Sequence, residues 1–137
     1  TTHTNFNTKI INISGKTKEY FMLENIGHDG YQAGLDYMIG GNSDSSGIAI
    51  WHIDENQWNS GNSDYTHKLV DLEEAAEAGL DLGSHSGKQT SLFYIGNKTE
   101  FSNSTNPNSK TYSGTSSGIT INNISVAGDS MTFDVSF

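Results

Sequence analysis

Cysteine is absent from this chain of 137 residues, and proline occurs once, at Pro107. Without cysteine, neither a disulfide framework nor a thiolate metal site can form. Positive charge is also scarce: 7 Lys and Arg stand against 16 Asp and Glu, a formal net charge of −9. This balance disfavours nucleic acid and anionic membranes, both of which attract basic surfaces. It fits a solvated acidic surface and is compatible with cation binding. No apolar run approaches the roughly 20 residues of a membrane span, and no secretory leader is present. The chain begins at Thr1 rather than Met, as expected of a mature or excised fragment.

Several catalytic signatures are missing too. None of His3, His28, His52, His67 or His85 has a second His four residues away, so the helical zinc-hydrolase motif is absent. There is no nucleophile elbow, no Walker loop and no dinucleotide fingerprint. A glycosidase-type carboxylate pair is assembled in space, and nothing local marks one. The isolated chain therefore reads as a non-enzyme, and an autonomous metal-dependent hydrolase is the least favoured reading.

What remains is the composition of a folded domain. Apolar residues make up 33%, and the 15 glycines bring the total near the ~45–50% usual for globular proteins. The length suits one domain, 1–137, with one core. Abundant Asn, Ser, Thr and Gly with little Lys is typical of a secreted, extracellular bacterial module.

Strand-like runs alternate with turn residues. KIINIS (9–14) leads to KEYFMLEN (18–25), where Phe21 and Leu23 oppose Tyr20 and Met22. A Gly-rich passage over 27–47 follows, and then IAIWHID (48–54) and a loop, ENQWNSGNSD. Residues 66–73 are expected as a strand, with a short helical turn after them. SLFYIG (91–96) is expected as a short strand or aromatic anchor. GITINNISV and SMTFDVSF flank Ala127-Gly128-Asp129 as a hairpin. The apolar phase slips between Ile121 and Ile124, which predicts a bulge at Asn122-Asn123. Met131, Phe133, Val135 and Phe137 share one side of the last strand. The expected fold is all-β: an antiparallel, jelly-roll-like sandwich with long Gly/Asn/Ser loops and at most one short helix.

GIAIWHIDEN (47–56) is chemically odd, because His52 and Asp54 continue the isoleucine face of a strand. With Glu24, His67, Asp71 and Glu73 they form a candidate polar network or metal site. The structural alternative is a buried His–carboxylate network in which each N–H meets an acceptor, since an unpaired buried polar group costs ~1–3 kcal/mol. Calcium is the more plausible ion, with candidate ligands at Asp44, Glu55, Asn56 and Asp64 in Asn/Asp-rich loops. Turns employ the same residues for backbone reasons. Trp58, Tyr65 and Tyr31 are candidates for a glycan-stacking platform, whereas Trp51 is expected in the core.

The order EYFMLEN (19–25), GYQAGLDYMIGGNSDSSGIAIWHIDEN (30–56) and HKLVDLEEA (67–75) resembles the region after the catalytic domain in M6-family metallopeptidases of the immune inhibitor A type. LFYIGN (92–97), TEFSNSTNPNSKTYSG (99–114) and the final GITINNISVAGDSMTFDVSF (118–137) extend the resemblance over nearly the whole chain from about residue 9. It implies a non-catalytic accessory β-domain whose partners are a catalytic domain or other modules of the same polypeptide. Glu24, His52, Asp54, His67 and Glu73 would belong to that domain and not to a zinc centre. The sequence departs from the pattern in two places. The HExxH helix is absent, and AAEAGLDLGSHSGKQT carries fewer carboxylates than relatives have there, which puts in doubt any calcium site that region holds in them. The alternative is a carbohydrate-binding module of a multimodular, cellulosomal-type protein with polysaccharide as its partner.

Overall fold

A computed structural model describes residues 8–27, 46–76, 80–81 and 88–137. Tyr31, Asp44, His3, His28 and His85 lie outside the described residues.

Alternation along two strands organises the chain. In β2 (Glu19–Ile26) the odd-numbered Glu19, Phe21 and Leu23 are buried, while Tyr20, Met22 and Glu24 are half-buried. In β3 (Gly47–Asp54) Ile48, Ile50, His52 and Asp54 form the inner row. The strands pair antiparallel with Leu23 opposite Ile50, Phe21 opposite His52 and Glu19 opposite Asp54. β1 (Thr8–Asn12) flanks β2, and β4 (Val70–Leu72) flanks β3, giving the order β1-β2-β3-β4. A second antiparallel sheet pairs β5 (Thr120–Asn122) with β6 (Asp134–Ser136). The fold is all-β, with only two single-turn 3-10 segments, Glu55–Gln57 and Gln89–Ser91, among the described residues.

One core draws on both sheets. Ile11, Phe21, Leu23, Ile48 and Ile50 come from the first, Ile121 from the second, and Phe93, Phe101, Ile119 and Ile124 from flanking segments. Phe101 meets Phe21 edge-on at 5.2 Å and Phe93 at 5.9 Å. Each such side chain contributes roughly 1.5–3 kcal/mol by leaving water. Phe101 also exchanges two 2.8 Å backbone bonds with Ile121, which carries the second sheet's pairing into the core.

The C-terminal hairpin forms, with its extra residue at Asn123-Ile124, one position later than the expected Asn122-Asn123. Asn122 faces Asp134, while Ser125 N–H donates to Thr132 O at 2.9 Å. Two residues, Asn123 and Ile124, thus oppose the single Phe133. Asn123 takes a positive φ of 52°, which lets Ile121 and Ile124 both point inward.

Two expected elements are corrected. The strand expected over 66–73 is reduced to Val70–Leu72. Its first half is a turn, because Asp64 accepts from Thr66 N–H and Oγ1 at 2.9 and 2.7 Å. The helical turn expected after residue 73 does not form over 73–76. There Glu73 N–H bonds Ile50 O and Ala75 N–H bonds Ser91 O, so the backbone is committed across the sheet. SLFYIG acts as an anchor: only Phe93 pairs, with Ile48. Gly47 admits this approach, since a Cβ there would stand 2.8 Å from Leu92 Cβ.

Candidate functional site

The inner row of the first sheet changes from apolar to polar towards one end. Leu23 and Ile50 give way to Phe21 and His52, and these to Glu19 and Asp54. His52 is only 3% exposed, so its ring needs internal partners. Its Nε2 lies 3.2 Å from Glu19 Oε1, and its Nδ1 lies 3.2 Å from Glu73 Oε1. A neutral imidazole carries one N–H, so only the doubly protonated ring donates to both carboxylates. Glu19 also accepts Tyr112 N–H at 2.7 Å and pairs with Lys16 at 3.3 Å.

The rings stack. Phe21 lies 4.5 Å from His52 between centroids, and Tyr112 covers the imidazole at 4.2 Å, 12° from parallel. Tyr112 lies likewise 4.1 Å from His67. The phenol is held between two imidazoles, one buried and one about a third exposed. Its hydroxyl is buried without a well-formed hydrogen bond. Burial first, and then the charges of Asp71 and Glu73, push its pKa well above the ordinary phenol value, against an opposing effect of the Lys68 backbone.

His67 is held by Asp54, Nε2 to Oδ2 at 2.8 Å. The other Asp54 oxygen accepts Asn56 N–H and Nδ2–H at 2.9 and 2.8 Å, capping the Glu55–Gln57 turn. Burial opposes the Asp54 charge, but the His67 and Asn56 bonds outweigh it and hold this carboxyl below the usual range.

On β4, Asp71 stands opposite His52. Lys68 Nζ reaches both Asp71 and Asp81 at 2.5 Å. Burial works against the Lys68 charge, but the two carboxylates prevail and hold it above its ordinary value. Asp71 is raised to about 6, first by burial and further by Asp81 and Glu73, against the Lys68 bond. An acid raised in the fold binds more protons folded than unfolded. Its favourable contribution is complete below its unfolded value near 3.8 and disappears as pH rises through about 6. Asp54 has the opposite sign: its contribution is present above its unfolded value and is lost as pH falls through the lower folded one. Asp71→Asn is therefore expected to remove a decline in stability between about pH 4 and pH 6. Urea unfolding at a series of pH values checks this, since the variant should gain on the wild type at pH 7.

A cleft of about 630 Å³ opens beside this centre, lined by His52, Glu73, Asp81, Tyr112, Lys98 and Lys110 among others.

His52, Asp54, His67, Asp71 and Glu73 thus do converge. Glu24 does not: it lies on the other face of β2 and accepts Trp51 Nε1–H at 3.1 Å. Trp51 is correspondingly half-buried outside the main core cluster. Glu19 takes the place expected of Glu24, and strand parity marks it, since 19 shares its phase with Phe21 and Leu23. Tyr112 has no local signal in its Ser/Thr-rich segment.

The candidate calcium ligands that are described have other partners. Asn56 is spent on Asp54, Asp64 on the Thr66 turn, and Glu55 accepts Tyr20 Oη–H at 3.1 Å. The Thr66 hydroxyl and N–H hold Asp64 below the usual carboxylate range. Among the described residues, no group of three or more His, Asp or Glu is arranged to hold a metal ion. No described helix is long and apolar enough to cross a membrane. Trp58 and Tyr65 are both exposed. No protein-family model, curated protein or solved structure matches this chain.

Proposed function

We propose that this chain is a non-catalytic accessory β-domain, of sandwich type, in a secreted M6 metallopeptidase-like protein, where it supports stability or substrate placement beside a catalytic domain. The carrying observation is the double engagement of His52. With a carboxylate at each ring nitrogen and the Phe21 and Tyr112 rings packed on it, the buried imidazole has both nitrogens engaged inside the fold. A general base or zinc ligand needs one nitrogen free to reach its target. The convergent polar groups act instead as an internal clamp. The test is direct: the chain, with and without added zinc, is incubated with casein. No hydrolysis is expected, whereas hydrolysis lost in His52→Ala would overturn the reading.

A second reading, a carbohydrate-binding module of a secreted multimodular protein, is favoured by one separate observation. Trp58 is 76% exposed on a loop whose backbone is closely held.

A further inference from the structure

The loop from Glu55 to Val70 is fixed at many points. Asp54 caps its first turn, and Gly61 N–H bonds Gln57 O at 2.7 Å. Leu69 N–H returns to Gly61 O at 2.9 Å. Asn62 clamps Val70 from both sides, giving Nδ2–H to its carbonyl and taking its N–H, each at 2.9 Å. Asp64 closes the Thr66 turn, and His67 ties back to Asp54. A loop held this firmly could bury its indole, yet it presents Trp58 to water. Exposing so large an apolar surface in a fixed conformation favours a ligand, because the ordering cost is met before binding.

The surroundings narrow the ligand. Trp58 borders a groove of about 650 Å³ on the outer face of the first sheet, with Ile53, Leu69 and Val70 as apolar lining. Tyr20, Glu55 and Lys18 supply its polar groups, and Tyr20 Oη donates to Glu55 Oε1. One exposed aromatic plane lies beside an acceptor carboxylate, a donor ammonium and a phenol. A pyranose has matching chemistry: an apolar C–H face and hydroxyls that both give and accept hydrogen bonds. Lys18 and Glu55 balance each other within the groove, and the chain's net charge of −9 repels polyanions. Charge complementarity therefore selects a neutral sugar.

We propose that the groove formed by Trp58, Tyr20, Glu55 and Lys18 binds a neutral polysaccharide by stacking a hexopyranose on Trp58. The proposal rests on the carbohydrate-module reading and assigns that reading its site. Affinity electrophoresis through soluble β-glucan, xylan and galactomannan, with polygalacturonate as the acidic comparison, tests it. At least one neutral polymer should retard the wild type. Trp58→Ala should weaken that retardation about tenfold or more and Glu55→Gln to a lesser extent, with the melting temperature of Trp58→Ala unchanged. Retardation unaffected by Trp58→Ala would overturn this site while leaving the module reading intact. Failure of every polymer, polygalacturonate included, to retard the protein would overturn both. Binding confined to polygalacturonate would overturn the neutral-sugar proposal while leaving the module reading intact.

Discussion

Replacing His52 with Ala is expected to destabilise the fold by about 3–5 kcal/mol, a large share of the roughly 5–15 kcal/mol that holds a domain together. Two effects combine. The lost ring leaves a gap beside Phe21 and Tyr112, and Glu19 and Glu73 lose the imidazole that each of them contacts. Glu19 retains Lys16 and Tyr112 N–H, so the larger penalty falls on Glu73. Chemical unfolding of the two proteins at neutral pH measures the difference. The effect should shrink when Glu73→Gln is introduced as well, because the variant then contains no uncompensated carboxylate on that side.

Tyr112→Ala is expected to cost about 3–4 kcal/mol, in the range for removing a packed aromatic ring. The ring is the central member of the Phe21–His52–Tyr112–His67 stack, so its loss uncovers both imidazoles. Tyr112→Phe should behave differently. The hydroxyl is buried without a well-formed partner, so its removal should change stability by less than about 1 kcal/mol, in the stabilising direction. Thermal and urea unfolding of both variants separate the contribution of the ring from that of the oxygen.

Both expectations depend on groups that differ in how visible they are from sequence. β1, β2 and β3 are legible as short apolar runs bounded by turn residues, and the terminal hairpin because of Ala127-Gly128-Asp129 and the phase slip at Ile124. β4 is less so. VDL is too short for periodicity to show, and the local bonds of Asp64 and Thr66 override the strand propensity of the residues before it. Residues 73–76 have a helical composition but spend their N–H groups on Ile50 and Ser91. That choice is tertiary and leaves no local trace.

The polar centre was half legible. His52 and Asp54 stand out because polar groups interrupt an isoleucine face. Glu19 could be found by the same rule, as it shares the phase of Phe21, whereas Glu24 shares that of Tyr20 and Met22. Tyr112 could not, since nothing in TYSGTSSG indicates that its ring will enter between two imidazoles. Long-range contacts of this kind arise from packing rather than pattern. The aromatic groove is intermediate: Trp58 is conspicuous in its polar loop, while Tyr20, Ile53 and Val70 join it only once β2, β3 and β4 are side by side.

His52 and Glu19 support each other's burial, and a double-mutant cycle in stability reads that support. His52→Ala, Glu19→Gln and the double variant are unfolded in urea at neutral pH. A coupling energy of about 1 kcal/mol or more is expected, with the double variant less damaged than the sum of the single ones. Strictly additive losses would contradict it, because they would mean that the imidazole and the carboxylate sit side by side without holding one another.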